Sequence, residues 1–340
     1  MKNSNLTFFN TTIHPGEMLN LALPLPEFYS CSSFHMPIKI MHGKEAGPCV
    51  LIFSAVKGDE LNGLEIINQL LKSKPLQSLR GTLIAIPVLN VLGLINHPKA
   101  LTYETSLDKC FPGNEQGSYG ERIAHLFTQN ILCKANYCIE LQTGSLNHDI
   151  LPQIYCNFND AESKSLARQF AAPVIINMNI EDNSLRKTAE SLNIPQLVYQ
   201  AGEAMRIDES AVSLGLSGIQ NVLSHLNMLD TPEPTTNKTY QSIFSQEQDW
   251  LRAHHSGVLH SKIVLGQMIK KKQVIGLISD PFSADTIEPV KSPRDGVVVG
   301  INRHPLIHEG QTIFKIASFI DNDKAETVLE AWSESFAEES

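Results

Sequence analysis

Ser54-Ala55-Val56-Lys57-Gly58-Asp59-Glu60-Leu61-Asn62-Gly63 is the stretch on which the fold turns. It follows the wholly apolar run Val50 to Phe53 and precedes apolar residues at Leu61, Leu64, Ile67, Leu70 and Leu71. A short apolar run that ends in a turn reads as a buried strand, and apolar residues three and four apart read as one helix face. The stretch is therefore the loop of a strand-loop-helix unit, and in α/β proteins ligands sit at such loops, outside the carboxyl ends of the strands. Asp59 and Glu60 fall where the helix begins, next to its unpaired N–H groups. Gly58 and Gly63 let backbone approach a ligand or a neighbouring strand. On these residues alone, an ordinary acidic helix start explains the stretch as well as a functional loop does.

The 340 residues suffice for one large α/β domain and a smaller one, and the 42% share of hydrophobic residues is ordinary for a globular chain. The longest apolar runs are of strand length, far short of the roughly 20 residues of a membrane helix. Residues 1–15 lack the apolar core of a signal peptide. Cys31, Cys49, Cys110, Cys133, Cys138 and Cys156 show no C-x-x-C pair, and several lie in apolar runs, as reduced core cysteines of a cytoplasmic protein do. The net charge of −9 is concentrated in residues 321–340, where seven acids stand against Lys324 and leave the other 320 residues at −3. No basic face for nucleic acid results.

Working outward, residues 12–47 carry short alternating segments broken by Pro and Gly, and His35 and His42 are read there as edge or surface residues. Strands are predicted at 81–89, 135–141, 171–179 and 194–199, and helices at 61–72, 120–132, 163–170 and 211–229. Residues 231–237, rich in Pro and Thr, read as a linker. Short strands broken by Gly and Pro follow, and Val328, Leu329, Trp332 and Phe336 form a stripe at helical spacing, read as docked on the chain's own body.

Several of these segments carry a family likeness. Ala55-Val56-Lys57-Gly58-Asp59-Glu60-Leu61-Asn62-Gly63 resembles the Gly-x-His-Gly-Asp-Glu-x-x-Gly metal motif of the succinylglutamate desuccinylase/aspartoacylase family, zinc carboxypeptidase-like hydrolases of N-acyl amino acids. Asn90-Val91-Leu92-Gly93 resembles its Asn-Pro-x-Gly turn, and Ser106-Leu107-Asp108-Lys109-Cys110-Phe111-Pro112-Gly113 its Asp-Leu-Asn-Arg-x-Phe-Pro-Gly motif. Glu140-Leu141-Gln142-Thr143-Gly144 resembles Asp-Leu-His-Thr-Gly, and Pro195 to Gly202 resembles Pro-x-x-x-x-Glu-x-Gly. The resemblance implies a carboxypeptidase-like three-layer α/β domain with a mixed sheet over residues 1–237. It further implies a small C-terminal β-sandwich similar to biotinyl and lipoyl carriers over 238–320, leaving 321–340 as an acidic amphipathic tail. The hairpin where a carrier presents its modified lysine reads Ser279-Asp280-Pro281-Phe282-Ser283, without a lysine, which favours a structural cap.

The same resemblance places the family's zinc ligands at Lys57, Glu60 and Gln142 and its general base at Gln200. A lysine ammonium has no lone pair, an amide oxygen is a poor zinc donor, and an amide accepts no proton at neutral pH. Lys99, Asp108 and Lys109 fall at the family's substrate-gripping positions, where lysine offers a point charge in place of arginine's planar fork. An ion pair between Asp108 and Lys109 is expected there. His148, six residues beyond Gln142, is a weak candidate for a substitute ligand, and Glu203 a weak one for a displaced base. His254 and His255 are read as surface residues and Cys110 as a packing residue.

Two functions follow. The first is a degenerate homologue that binds an acyl-amino-acid-like ligand or a protein partner without zinc-dependent hydrolysis and needs no cofactor. The second is an active metal-dependent hydrolase of an N-acyl amino acid or related amide, using zinc in an altered site. Neither requires nucleic acid or membrane, and both admit a homo-oligomer. On the first reading a buried Glu60 needs a partner, so Lys57 is expected to turn inward and bond it.

Overall fold

A computed structural model describes residues 2–27, 33–96, 106–230, 242–283 and 287–337. Strands β1 (Leu6–Phe8) and β2 (Thr11–Ile13) pair with each other. Then come β3 (Met18–Pro24), β4 (His35–His42), β5 (Glu45–Ser54), helix α1 (Leu61–Lys72), β6 (Arg80–Ile86), α2 (Val91–Asn96), α3 (Tyr119–Asn130) and β7 (Tyr137–Gln142). β8 (His148–Cys156), α4 (Ala161–Phe170), β9 (Val174–Asn177), α5 (Leu185–Ser191), β10 (Gln196–Gly202) and α6 (Glu209–His225) complete the first two thirds. The remainder is β11 (Ile243–Arg252), β12 (Gly257–Ser261), β13 (Met268–Ile269), β14 (Val274–Ser279), β15 (Ile287–Lys291), β16 (Gly296–Asn302), β17 (Leu306–Ile307), β18 (Thr312–Phe319) and α7 (Asn322–Ala337).

The strand order β13-β16-β18-β11-β9-β8-β10-β7-β5-β6-β4-β3 makes one mixed sheet of 12 strands. Its centre, β6, β5, β7 and β10, is parallel, because the helical crossovers return each strand in the same direction. Both faces of these strands are covered by helices. Ile66, Ile67 and Leu70 of α1, Phe170 of α4 and Ile219 of α6 pack on one face. Ile123 and Phe127 of α3, with Leu185 and Ala189 of α5, pack on the other. This is the expected mixed α/β sheet between helical layers. β4 pairs with β3 and β6, and β5 lies beyond β6. The crossover through α1 places β6 parallel to β5, so β6 takes the place a hairpin partner would have had.

The C-terminal strands build a core of their own and also join the main sheet. β11, β13, β16 and β18 are hydrogen-bonded into the main sheet through β11 to β9 and through β16 to β8. β12, β14, β15 and β17 form a second sheet of 4 strands, and Leu259, Ile275, Ile278, Ile301, Phe314 and Ile316 fill the core between the two. Unpaired strand edges invite pairing, and β8 and β9 offer theirs to the C-terminal strands. Leu329 and Trp332 of α7 join the cluster of Val297, Val299, Ala317 and Phe319, with Val328 against it, so these residues of the tail's stripe pack on the chain's own body, while the Phe336 side chain lies outside what is described. The 231–237 linker and Cys31 lie outside the described residues. No disulfide joins Cys49, Cys110, Cys133, Cys138 or Cys156.

Glycine at 63 fixes how closely α1 can lie on the sheet. A Cβ there would stand 2.0 Å from Ser54 Oγ and 2.8 Å from Leu141 Cβ, contacts no side chain tolerates. Gly63→Ala is therefore expected to cost about 2–3 kcal/mol through overpacking, read as a lower urea midpoint at unchanged slope.

Candidate functional site

The carboxyl ends of β5, β7 and β10 meet in one region, and their loops are stitched together by buried side chains. Ser54 Oγ donates to the carbonyls of Leu141 (3.1 Å) and Glu60 (3.3 Å), tying β5 to β7 and to its own loop. Asn90 donates to Val56 O at 3.1 Å and accepts the Gly93 N–H at 2.8 Å, so the Asn90-x-x-Gly93 turn both starts α2 and supports the 55–58 loop. Gly58, at φ +87°, passes so near Gly93 that a Cβ would come within 2.2 Å of its carbonyl carbon. Asn62 donates to Ala201 O and accepts the Asp208 N–H, and Met205 N–H donates to Asp59 O. The family-like motifs outside the chemistry thus serve the backbone.

Glu60 lies at the centre of this region and is 1% exposed. Its Oε2 accepts the backbone N–H of Lys57 at 3.3 Å, while Oε1 has no hydrogen-bond partner among the described residues. The Lys57 side chain is exposed, and among the described residues no ion pair joins it to Glu60. The expected inward lysine is thus corrected. Burying both charges costs more than leaving one in water and protonating the other. Burial pushes the Glu60 carboxyl up to about 8; the Lys57 charge opposes this and neighbouring Glu140 reinforces it. At neutral pH Glu60 is mostly a neutral acid.

Gln142 and Gln200 lead a polar row on the α3–α5 face of the sheet. β7, β10 and β8 place Glu140, Gln142, Gln196, Gln200, Gln153 and Tyr155 on that face by strand alternation and register. Gln142 Nε2 donates to Glu140 Oε1 at 2.5 Å, and Gln196 Nε2 faces Glu140 Oε2 at 3.4 Å. Glu140 is 2% exposed, and burial raises its carboxyl, countered chiefly by Arg186 on α5. Gln200 Oε1 accepts from Tyr155 Oη (3.0 Å) and Gln153 Nε2 (3.2 Å), and its Nε2 donates to Thr143 O (3.0 Å). Lys315 of β18 brings its Nζ to 3.2 Å from Tyr155 Oη. Arg186 is half-buried, carries no hydrogen bond or ion pair among the described residues, and lines a cavity of about 390 Å³ with Gln196, Asn157 and Asn193.

The other expected residues are dispersed. Lys99 lies outside the described residues. Asp108 is half-buried and near enough to Glu140 to raise its carboxyl, whereas Lys109 turns outward to Glu181 at 3.9 Å. The expected Asp108–Lys109 pair is thus corrected: on the short 3-10 turn of residues 107–109 the two side chains diverge. His148 bonds Leu146 O and Thr312 Oγ1 and stacks edge-on to Trp250, so its nitrogens are spoken for. Glu203 is buried against the Asn147 N–H and Arg206. His42 is buried between Thr82 and Ser4 O, not at the surface as its sequence suggested. His254 and His255 are exposed, and Cys110 is buried with its Sγ on Ser106 O. Among the described residues, no group of three or more His, Cys, Asp or Glu side chains converges as a metal ion requires.

Tyr155, Gln153, Arg186 and Lys315 were not anticipated. For three of them the signal lay in polar residues inside apolar strands: Gln153 and Tyr155 alternate with Ile154, and Lys315 stands between Phe314 and Ile316.

The raised Glu60 carboxyl has a pH signature. Its ordinary value is 4.5, so between about pH 4.5 and 8 the folded chain keeps a proton that the unfolded chain releases, and stability falls as pH rises through that window. Glu140 contributes with the same sign. Glu60→Gln should remove its share, roughly 4 kcal/mol in all, so that unfolding midpoints of wild type and variant diverge from pH 5 to pH 8 in favour of the variant.

Comparison with known proteins agrees with this architecture. Residues 46–226 match the succinylglutamate desuccinylase/aspartoacylase catalytic domain. N-alpha-acetyl-L-2,4-diaminobutyric acid deacetylase of Halomonas elongata is 24% identical over 299 residues, 84% of this chain and 86% of that protein. A succinylglutamate desuccinylase from Silicibacter sp. superposes with a TM-score of 0.80 at 19% identity, covering 94% of this chain and 100% of the other. The product-bound ectoine utilization protein EutE of Ruegeria pomeroyi gives 0.78 at 20% identity, covering 88% and 95%. With the catalytic-domain match spanning more than half of its length, the chain belongs to the succinylglutamate desuccinylase/aspartoacylase family.

Proposed function

We propose that this chain binds an acyl-amino-acid-like carboxylate in the family cleft without zinc-dependent hydrolysis. The observation that carries the reading is the joint replacement of three chemistry-bearing positions, by Lys57, Gln142 and Gln200, on a scaffold whose backbone-serving residues are kept. Zinc does not fit this donor set. Lys57 is exposed and cationic, the Gln142 amide bonds Glu140, and Glu60 alone remains of the three family ligand types. At Gln200 both carbonyl lone pairs are taken by Tyr155 and Gln153, and an amide removes no proton from water. What the row offers a ligand is hydrogen bonds and charge. Arg186, which carries no ion pair among the described residues, offers a planar two-donor fork to an acid group in the cavity it lines with Gln196, Asn157 and Asn193. We read the C-terminal strands as a β-sandwich cap that braces the cleft, since the Asp280 turn presents Phe282, 97% exposed, and no lysine.

One observation favours a second reading, an amide hydrolase with an altered site: the relative named as a deacetylase matches along most of the chain. Zinc content and turnover separate the two. Protein purified at neutral pH with added zinc is expected to hold no stoichiometric metal and to hydrolyse N-acetyl-L-aspartate, N-succinyl-L-glutamate and N-α-acetyl-L-2,4-diaminobutyrate at background rate. Calorimetry should detect saturable binding of at least one of them. Stoichiometric zinc with turnover abolished by Glu60→Gln would establish the hydrolase instead. Lys57→His with Gln142→His should create zinc affinity that neither change gives alone, because a stable site needs about three protein ligands.

A further inference from the structure

Lys315 lies far in sequence from every family motif, yet it ends two hydrogen bonds from the cleft. The pairing of β16 with β8 closes β8, β9, β11, β18 and β16 into a ring. Lys315 on β18 and Tyr155 on β8 are not on hydrogen-bonded neighbours, and the lysine spans the distance between them. Gly300 makes room for it: a Cβ there would meet Lys315 Cβ at 2.8 Å and Trp250 at 3.1 Å.

The donors and acceptors of this chain run in one direction only. An ammonium can donate but not accept, so Tyr155 Oη receives from Lys315 at 3.2 Å and from Gln153 Nε2 at 3.0 Å. Both lone pairs of the phenol are then used, and its proton goes to Gln200 Oε1 at 3.0 Å. With Oε1 filled, Gln200 Nε2 gives one N–H to Thr143 O and has a second that no acceptor among the described residues takes. Gln153 obeys the same sense at a cost, leaving its own buried Oε1 without a donor. Without the ammonium, Tyr155 could turn its proton elsewhere and the Gln200 amide could flip.

We infer that Lys315 is a positioning residue which, through Tyr155, fixes the Gln200 amide with its N–H toward the cleft, so that the site selects a ligand with an acceptor there, a carboxylate or acyl carbonyl oxygen. Burial lowers the Lys315 ammonium to about 8, with Asp249 on β11 opposing, so the charge is present at pH 7. Burial raises the Tyr155 phenol, with Arg186 from α5 opposing, so it stays protonated. The ligand half of this inference rests on the binding function proposed above; the amide orientation does not.

The test therefore has two arms. In ¹⁵N spectra at pH 7, with the Gln200 side-chain amide assigned by its loss in Gln200→Glu, the Thr143-bonded proton should exchange slowly with water. Lys315→Met should speed that exchange on the order of tenfold, the equivalent of about one hydrogen bond, and Lys315→Arg should restore it. Tyr155→Phe should act like Lys315→Met and serves if the latter does not fold. Unchanged amide exchange in Lys315→Met or in Tyr155→Phe overturns the positioning role. In the second arm, calorimetric affinity for N-acetyl-L-aspartate or N-α-acetyl-L-2,4-diaminobutyrate should weaken by a similar factor in Lys315→Met and not in Lys315→Arg. Equal weakening in both variants overturns the selection of an acceptor. If wild type binds neither probe, the binding function and the selection that rests on it fail together, while the exchange arm still decides the orientation.

Discussion

A carboxyl group cannot be buried in charged form without a partner, and this site buries two, Glu60 and Glu140, side by side. Much of the surrounding arrangement answers that constraint. Burial raises both acids, and Glu140 adds its repulsion at Glu60, so the neutral form is favoured at Glu60. Two amides, Gln142 and Gln196, then supply the N–H donors that Glu140 needs. Arg186 approaches from α5 and opposes the rise without forming a bond to it.

Glutamine fits this role for a geometric reason. An amide carries both donor and acceptor, so a row of amides on neighbouring strands can link end to end without net charge. The parallel register of β7 and β10 sets Gln142 opposite Gln200, and the antiparallel register of β10 and β8 sets Gln200 opposite Gln153. Strand pairing has thus placed three amides side by side, and a buried row of this kind holds a unique shape only if its members point in a consistent sense. Lys315, which can only donate, supplies that sense from one end.

The sequence showed the scaffold well because period and punctuation report backbone. Helix α1 occupies the very residues its apolar spacing indicated, and β6, β7, β9 and β10 fall within the predicted runs or a few residues from them. β8 escaped notice because Pro152 interrupts it and His148-Asp149 open it, both unlike a central strand. The proline is tolerated where the ladder with β10 shifts register between Gln200 and Gly202. With β8 unread, the row lost Gln153 and Tyr155, and with the C-terminal strands taken as a separate body, Lys315 had no reason to be near it. Motif positions named Glu60, Gln142 and Gln200, but spacing carries no information on the direction of the Lys57 side chain.

That direction matters for how the site compares with its family. Had Lys57 turned inward it would have stood in for a metal charge, giving the cleft a fixed cation at its centre. Exposed instead, it leaves the centre with a neutral Glu60 beside an amide row. On the function proposed above, an entering carboxylate meets a protonated acid at Glu60, which can itself donate one hydrogen bond. Ionising Glu60 would set a bare negative charge against the same ligand. Burial of Glu60 therefore favours its neutral form and takes a negative charge out of the centre of the site at neutral pH.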